Sequence, residues 1–407
     1  MTTAVFVAPF LRENTLRWIR ALADLEGTRA AVITQDPPEH VPSDLRARLA
    51  GLRRVEDCMN GVQLADACRA LSMELGPVHR LLGVLEQLQV PLAEARDAVG
   101  IPGLTGEVAR NFRDKARMKE VLAAAGLPVA RQKRVTSEAD LRAFVAQVGY
   151  PVVVKPPAGV GAQGTYRLTD AAALEQAIVA LKPSPERVLQ AEEFIVGEEN
   201  TLEAVTIQGE PVWYSGTRYL PGPLTVLENP WIQYCVLLPR EEHDPEFSAF
   251  ARTSFAAVRA LGLATGLTHM EWFRRPDGTH VVSEVGARPP GVHIVPMMSA
   301  AHGFDMIRAW VRLMVHEKFT APPRTHAAGT AFLRGQGTGS RVVSVQGAAE
   351  ALAAVGPMVV EARLPRVGQP RASGYEGEGY VILKHPTTKA VADGLKTLVS
   401  TLRVELG

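Results

Sequence analysis

The chain has 407 residues, of which 46% are hydrophobic and 21% are charged, and its formal net charge is +1. A length above roughly 250 to 300 residues predicts two or three domains, because single hydrophobic cores stop growing near that size. The near-neutral charge excludes a general electrostatic attraction to nucleic acid or to an anionic membrane. Three cysteines without metal-ligand spacing argue against a disulfide framework, and no apolar run is as long as a membrane span. We therefore expect a soluble, cytoplasmic protein.

The first hundred or so residues alternate apolar runs with helical patterns. Residues 4–9 and 30–34 are typical of buried strands, and a helical segment at 14–25 lies between them. Alternating strands and helices favour a parallel sheet. No glycine-rich fingerprint follows the first strand, so an ordinary dinucleotide site is not expected there. The run at 81–92 is ambiguous between strand and helix.

Residues 151–169 predict a strand, a glycine-rich loop and a second strand. Lys155 closes the first strand, where a buried ammonium group is costly unless an anion neutralises it. The following loop contains Gly159, Gly161 and Gly164, so several of its backbone N–H groups can approach phosphate oxygens. The spacing is not that of a Walker loop. A plain hairpin with a lysine at its mouth is the alternative interpretation.

Acidic residues follow on the next two elements. A strand ending in Glu192-Glu193-Phe194-Ile195 runs into an extended link whose backbone can meet the polar edge of a purine. Glu199 comes shortly afterwards and is placed to accept hydrogen bonds from ribose hydroxyls. In isolation, the same residues are more typical of a solvated acidic loop.

The stretch 268–291 predicts a β-hairpin, because turn residues at 276–279 separate two alternating runs. If the turn closes symmetrically, Glu271 lies directly opposite Glu284. Like charges in that position are destabilising, so the pair indicates a shared cation, and oxygen ligands favour Mg²⁺ or Mn²⁺. Arg288 lies on the same face. The alternative is a surface hairpin with solvated charges, since a one-residue slip moves one carboxylate to the other face.

The order of these elements resembles the ATP-grasp superfamily, in its biotin carboxylase and carbamoyl phosphate synthetase branch. A helix predicted over 111–125 supplies a first lysine, and the Lys155 loop, the acidic strand, Glu199 and the hairpin follow in the family order. The resemblance implies an ATP-grasp fold, mixed α/β and α+β, with a Rossmann-like pre-grasp domain and a small C-terminal α+β domain packed onto the rest. The implied domains are 1–110 (pre-grasp), 111–325 (grasp, with a lid subdomain at about 128–190) and 326–407 (C-terminal).

The resemblance also assigns residues to roles. Arg288 and Lys155 are the implied catalytic residues, with Arg288 stabilising an acyl phosphate, and Glu271 and Glu284 are the implied ligands of Mg²⁺ or Mn²⁺. One departure matters: Gly286 stands where the family usually has an asparagine that helps to hold a metal. The residues expected to bind ATP are Lys115, Lys155, Gly159, Gly161, Gln163, Gly164, Thr165, Glu192, Glu193, Ile195 and Glu199.

The implied activity is that of an ATP-dependent ligase. It would activate a carboxylate as an acyl phosphate and couple it to an amine, releasing ADP and phosphate. Its partners would be a small-molecule carboxylate and an amine, and homodimers are common in this branch. Two alternatives stay open: biotin-carboxylase-like activation of bicarbonate through carboxyphosphate, and an ATP-binding regulatory protein without turnover, which Gly286 favours. The identities of the acid and the amine are not encoded in any motif of the sequence.

Overall fold

The structure, a computed structural model, describes residues 1–155, 165–229, 231–241 and 245–407. Over these ranges the chain forms four β-sheets with helices packed against them. No helix in the described ranges is long and apolar enough to cross a membrane. The strands are β1 (Thr2–Ala8), β2 (Thr28–Thr34), β3 (Gly51–Arg54), β4 (Arg80–Leu82), β5 (Gln132–Val135), β6 (Val152–Lys155), β7 (Tyr166–Leu168), β8 (Leu189–Glu193), β9 (Glu198–Ile207), β10 (Glu210–Leu220), β11 (Tyr234–Leu238), β12 (Gly266–Arg274), β13 (His280–Gly286), β14 (Ala327–Leu333), β15 (Val342–Gln346), β16 (Val359–Arg363), β17 (Gly379–His385) and β18 (Arg403–Leu406). The α-helices are α1 (Glu13–Ala23), α2 (Ser43–Arg46), α3 (Gly61–Leu75), α4 (Gln89–Val99), α5 (Gly106–Arg113), α6 (Lys115–Ala124), α7 (Glu138–Val148), α8 (Ala171–Leu181), α9 (Pro223–Glu228), α10 (Pro245–Leu261), α11 (Ile294–His302), α12 (Met306–His316), α13 (Ala348–Val355) and α14 (Thr388–Thr401).

The N-terminal sheet is parallel, in the strand order β3-β2-β1-β4. Its central strands pair over their whole length, beginning with Thr2 opposite Thr28. This confirms the parallel sheet predicted for the first hundred residues. The ambiguous run at 81–92 contains the end of β4 and the start of α4. Residues 84–87 follow the carboxyl end of β4, next to the point where the strand order reverses, which is where open parallel sheets build binding sites.

The single helix predicted over 111–125 is wrong, because Asp114 divides it into α5 and α6. Asp114 has an extended backbone, and its side chain accepts hydrogen bonds from the N–H groups two and three residues further on. An aspartate in this position caps the helix that follows it. As a result Lys115 opens α6, and Lys119 lies one turn later on the same helix face.

Two further sheets surround the centre of the molecule. The smaller one has the order β5-β8-β6-β7 and is antiparallel, with Val153 of β6 opposite Glu192 of β8. The larger one has eight strands in the order β13-β12-β9-β10-β11-β14-β17-β16. Lys155 therefore stands at the end of a strand in the smaller sheet, and the predicted hairpin forms one edge of the larger sheet.

The C-terminal part extends the large sheet, whereas the sequence suggested a separate small domain packed onto the rest. Strand β11 pairs with β14, with Val236 opposite Thr330, and β14 continues to β17 and β16. Helices α13 and α14 cover this end with buried residues such as Val391 and Leu395. One continuous sheet thus connects the hairpin to the C-terminal strands, and the domain limits drawn at 110 and 325 stay a prediction.

Candidate active site

A cavity of about 580 Å³ lies where the small sheet, the large sheet, the N-terminal sheet and the C-terminal part meet. Every predicted site residue that the structure describes lines it. These residues are Lys115, Lys155, Thr165, Glu192, Glu193, Ile195, Glu199, Glu271, Glu284 and Arg288. Outside the described residues lie the remaining predicted positions, Gly159, Gly161, Gln163 and Gly164.

The predicted hairpin places Glu271 opposite Glu284, as expected from the sequence. The symmetric turn that led to this pairing is nevertheless wrong. The Arg275 N–H donates to the Thr279 carbonyl, which closes a three-residue loop. A register shift between Glu271 and Trp272 then forms a β-bulge. The three-residue loop shifts the strand pairing by one position, and the bulge shifts it back by one. The two carboxylates therefore face each other.

A buried carboxylate holds two lysines of the cavity. Glu192 Oε2 lies 2.6 Å from Lys119 Nζ and 3.0 Å from Lys155 Nζ, and its Oε1 accepts a hydrogen bond from the Gln190 amide at 2.8 Å. Burial raises the pKa of Glu192, but the two ammonium groups outweigh burial and lower the pKa to about 2. Glu192 therefore stays ionised and fixes both lysines at the cavity wall.

The two facing carboxylates of the hairpin are themselves partnered. Lys115 forms a close ion pair with Glu284, and the Tyr219 hydroxyl donates to Glu271 at 3.3 Å. Both glutamates keep part of their surface open to the cavity, with 28% of the Glu284 side chain and 27% of the Glu271 side chain exposed. Their oxygens are thus within reach of a ligand that enters the cavity.

His269 bridges two carboxylates beside the hairpin face. Its Nδ1 lies 2.8 Å from Glu203 and its Nε2 lies 3.7 Å from Glu271. Burial by itself lowers the pKa of His269, but the hydrogen bonds to the two carboxylates outweigh burial and raise the pKa to about 9. The imidazole is therefore a cation at neutral pH and offsets the charge of Glu271.

Arg288 joins the hairpin end to the N-terminal sheet. Its Nε donates to Glu86 in a close ion pair, and its Nη1 donates to the Pro289 carbonyl at 2.9 Å. Glu86 begins a short 3-10 helix (Glu86–Leu88) after β4 and is buried. The pair places one cation and one anion side by side in the cavity wall.

Another part of the cavity wall is apolar. Ile195 packs with Ala130 and Val281, and Phe273 lies against this cluster. Such a wall suits a flat heterocycle, because stacking and apolar burial require no matching polar groups. Nearby, Glu199 is half-buried, and burial together with the charge of Glu271 raises the pKa of Glu199 well above its usual value.

Comparison with known proteins identifies a domain family within the chain. The ATP-grasp domain family matches residues 120–293. This region of the chain is similar to an ATP-grasp domain. Curated relatives include an uncharacterized protein, y4rH, of Sinorhizobium fredii, which is 29% identical over 57% of this chain and 48% of its own length. An L-arginine-specific L-amino acid ligase of Bacillus subtilis is 24% identical over 60% of this chain and 59% of its own length, and carbamoyl phosphate synthase large chains also match. The alignments thus span about a fifth to three fifths of these proteins.

The fold is similar to that of solved ATP-grasp enzymes along the whole chain. The crystal structure of an L-amino acid ligase from Bacillus licheniformis superposes with a TM-score of 0.77 at 20% identity, covering 100% of this chain and 99% of that one. This confirms the predicted ATP-grasp fold with its N-terminal parallel sheet. The family match begins after Lys115 and Lys119, so the position of these two lysines in the cavity rests on the structure alone.

The two facing carboxylates of this cavity fit a Mg²⁺ ion that is shared with a phosphate. Among the described residues, no group of three or more His, Cys, Asp or Glu side chains could hold a metal ion by itself. Mg²⁺ is commonly bound through one or two carboxylates and completes its coordination with substrate phosphates and water. Glu271 and Glu284 supply that number of carboxylates on one face of the hairpin.

Gly286, the departure from the family pattern, lies opposite His269 and beside the Arg288 pair. A Cβ atom at this position would lie 3.4 Å from Glu86 Oε2 and 3.5 Å from Arg288 Cγ, which is ordinary van der Waals contact. A methyl group therefore fits here. A longer polar side chain would reach the ion pair of Glu86 and Arg288.

We expect Gly286→Ala and Gly286→Asn to differ in their effects. The alanine variant should gain about 0.4–1 kcal/mol in the free energy of unfolding, because it restricts the unfolded chain at a site without steric conflict. The asparagine variant should raise the KM for the carboxylate substrate, because its amide competes for Arg288. Chemical denaturation and steady-state kinetics measure the two effects. An asparagine variant with unchanged KM and an alanine variant that is destabilised would contradict this account.

Several residues of the site were missed in the sequence. Lys119 could have been found, because it lies four residues after Lys115 on one helix face. Glu86 and Glu203 had no such signal, since each acquires its position through tertiary contacts with Arg288 or His269. Two residues of the C-terminal part, Tyr375 and Glu376, also line the cavity and were not predicted.

Proposed function

We propose that this chain is an ATP-dependent ligase that activates a carboxylate as an acyl phosphate and couples it to an amine, releasing ADP and phosphate. The observation that carries the proposal is the shared cavity of the facing pair Glu271 and Glu284, three lysines and Arg288. Phosphoryl transfer to a carboxylate brings two anions together, so the site must supply positive charge around both of them. The described part of the chain offers this charge from both ends of the cavity.

The nucleotide is proposed to lie along the small sheet. Lys115, Lys119 and Lys155 would neutralise its phosphates, and Thr165 would border them. The adenine would rest on the apolar wall formed with Ile195. Its polar edge would meet the backbone of the strand that contains Glu192 and Glu193, and Glu199 would accept from the ribose.

The residues of the cavity are already charged and fixed before substrate arrives. Glu192 forms ion pairs with Lys119 and Lys155. Lys115 is paired with Glu284, and Arg288 is paired with Glu86. Substrate oxygens can replace these carboxylates without a large rearrangement, which is the preorganisation that electrostatic catalysis requires. Glu271 and Glu284 would hold Mg²⁺, which, when bound, neutralises charge on the transferring phosphoryl group.

The acid is proposed to be an α-amino acid. Arg288 and Glu86 present a guanidinium and a carboxylate side by side, and these match the carboxylate and ammonium groups of a zwitterion. Two similar proteins, from Bacillus subtilis and Bacillus licheniformis, are named L-amino acid ligases. Bicarbonate has no ammonium group that could pair with the Glu86 carboxylate. Glu86 therefore favours an amino acid over bicarbonate as the activated acid.

The proposed activity is tested by ADP release from Mg-ATP against the twenty L-amino acids, singly and in pairs, with other carboxylic acids and bicarbonate as separate arms. We expect release at least about tenfold above ATP alone for particular acid and amine combinations. Turnover with bicarbonate only would contradict the ligase. If the protein binds ATP, seen as a raised melting temperature, and releases no ADP in any arm, the regulatory alternative is correct.

A further inference from the structure

The C-terminal part contributes two adjacent side chains to the cavity wall, Tyr375 and Glu376. They lie in the loop between β16 and β17. The ring of Tyr375 packs edge-on against the buried ring of Tyr234, with centroids 5.5 Å apart. The Glu376 carboxylate accepts a hydrogen bond from the backbone N–H of Val292. This loop is therefore seated against the turn that begins with Arg288.

The turn itself is held in an uncommon conformation. Val292 and His293 both have positive φ, at 44° and 58°, a region that β-branched residues rarely adopt. The ring of His293 stacks on Tyr380 of β17 with centroids 3.8 Å apart. Strain of this kind persists only when the surroundings impose it, and it is concentrated at functional sites. The C-terminal part thus fixes the backbone between Arg288 and α11 from two sides.

Among the carboxylates that line the cavity, Glu199 and Glu376 form no ion pair with another described residue, and Glu376 is the more exposed of the two. Glu86, Glu192 and Glu284 are each paired with a cation, and Glu271 faces His269. Within the described residues, no cationic side chain pairs with Glu376. Its side chain is open to solvent at the cavity mouth, yet the surrounding protein withdraws enough water to raise its pKa. A carboxylate that has no cationic partner and a raised pKa is able to accept a proton.

The proposed reaction needs such a group. An amine that arrives as an ammonium ion loses one proton to become a nucleophile and a second proton from the same nitrogen as the amide forms. The nitrogen–carbon bond forms, the bond from that carbon to the phosphate oxygen breaks, and phosphate leaves with the electron pair. Phosphate can take up one of the two protons. The other needs an acceptor on the side from which the amine approaches.

We propose that Glu376 is the general base that accepts this proton from the attacking amine and passes it to solvent at the cavity mouth. The inference rests on the proposed ligase function. It assigns the amine to the C-terminal side of the cavity, on the side of Arg288. Tyr375 lines the same part of the cavity wall, and burial together with the charges of Glu271 and Glu376 raises the pKa of its hydroxyl.

The test compares two nucleophiles in the full-length protein. Glu376→Gln removes the base and keeps the shape of the side chain. The acid is the one with the highest ADP release among the twenty L-amino acids, and the nucleophile is either an α-amine or hydroxylamine. Hydroxylamine is a weak base that is already unprotonated near neutral pH, so it traps an acyl phosphate as the hydroxamate with little need for a base.

We expect Glu376→Gln to lower kcat for amide formation by about 10²- to 10⁴-fold, the usual contribution of general acid–base catalysis. Hydroxamate formation should fall by less than about threefold. Glu376→Asp should recover part of the amide-forming rate. The matched control is Glu350→Gln, the same neutralisation on an exposed helix residue of the C-terminal part, and it should change neither rate.

Several results would overturn this role. Equal losses of amide and hydroxamate would make Glu376 a structural residue, and a rise in the amine KM at unchanged kcat would make it a binding residue. An unchanged rate with both nucleophiles would remove it from the reaction. Each of these results leaves the ligase activity standing. By contrast, a wild-type protein that forms neither ADP nor hydroxamate with any acid would contradict the proposed function itself.

Discussion

Replacing Glu284 by glutamine is expected to lower the rate of ADP release by about 10²- to 10³-fold or more while the fold is retained. The substitution keeps the size of the side chain and removes one of the two facing carboxylates that would share Mg²⁺. Loss of a single preorganised electrostatic contact in an active site typically has an effect of this size. The side chain is partly exposed, and among the described residues it forms its ion pair with Lys115, so the cost in stability should be small.

The control for this experiment is Glu198→Gln on the neighbouring strand β9. Glu198 is exposed and lies 3.7 Å from Arg274, outside the cavity. ADP release is measured over a range of Mg²⁺ concentrations, together with the melting temperature of each variant. We expect the Glu284 variant to require more Mg²⁺ and the control to match the wild type. A Glu284→Gln enzyme with more than about a tenth of wild-type activity at ordinary Mg²⁺ would show that the metal assignment is wrong.

The hairpin was predicted correctly in its facing pair of glutamates and incorrectly in its turn. The pairing of Glu271 with Glu284 was predicted from turn residues and strand alternation, and it is present in the structure. The prediction held although the turn was assigned incorrectly, because the bulge before Trp272 compensates for the three-residue loop. Alternation fixes which side chains share a face, whereas the bulge depends on how β12 also pairs with β9.

Local signals predicted the elements better than the contacts between them. Both strands and helices were expected in the C-terminal part, and the structure has both there. The continuation of the large sheet through β11 and β14 was not foreseen, since these two strands are separated in sequence by the whole hairpin and three helices. The same limit applies to Glu86 and Glu376. Their motifs are unremarkable, and only the folded chain brings them to Arg288 and Val292.

The break at Asp114 is an instructive local error. Helical periodicity continues through this residue, so the sequence predicts one helix across it. Asp114 is nevertheless a preferred N-cap residue, and in the structure it caps α6. The cap determines where Lys115 and Lys119 point, because both lie within the first turns after it. Giving capping more weight than periodicity would have placed Lys115 in the first turn of α6 and indicated Lys119 on the same face.

The largest expected effect on stability comes from Glu192→Gln. Glu192 is 7% exposed and neutralises Lys119, which is 1% exposed, together with Lys155. Removing one partner of a buried ion pair leaves uncompensated charge and typically costs about 3–5 kcal/mol in the free energy of unfolding. The adjacent Glu193→Gln is the control. Its ion pairs with Arg131 and Arg275 involve more exposed side chains, so its cost should be about 1 kcal/mol or less.

The pH dependence of stability gives an independent check. The pKa of Glu192 is about 2 in the folded protein against an ordinary 4.5, so its contribution is fully present above pH 4.5 and is lost as the pH falls through 2. The difference between wild type and Glu192→Gln should therefore be full near pH 5 and shrink on acidification. Urea denaturation at several pH values measures it. A difference that grows below pH 4.5 would contradict the assigned ionisation of Glu192.

A second substitution tests whether buried charge is the cause. Lys119→Met, added to Glu192→Gln, removes the more deeply buried of the two ammonium groups that the first change leaves unpaired. Since the side chains are in contact, their effects should not add, and the double variant should be more stable than Glu192→Gln alone. Burial lowers the pKa of Lys119 to about 8 even with Glu192 present, so the single variant should also regain stability as the pH rises toward 10. If the losses in the free energy of unfolding simply add in the double variant, Glu192 stabilises the fold through packing. The positions of the two lysines would then not depend on Glu192.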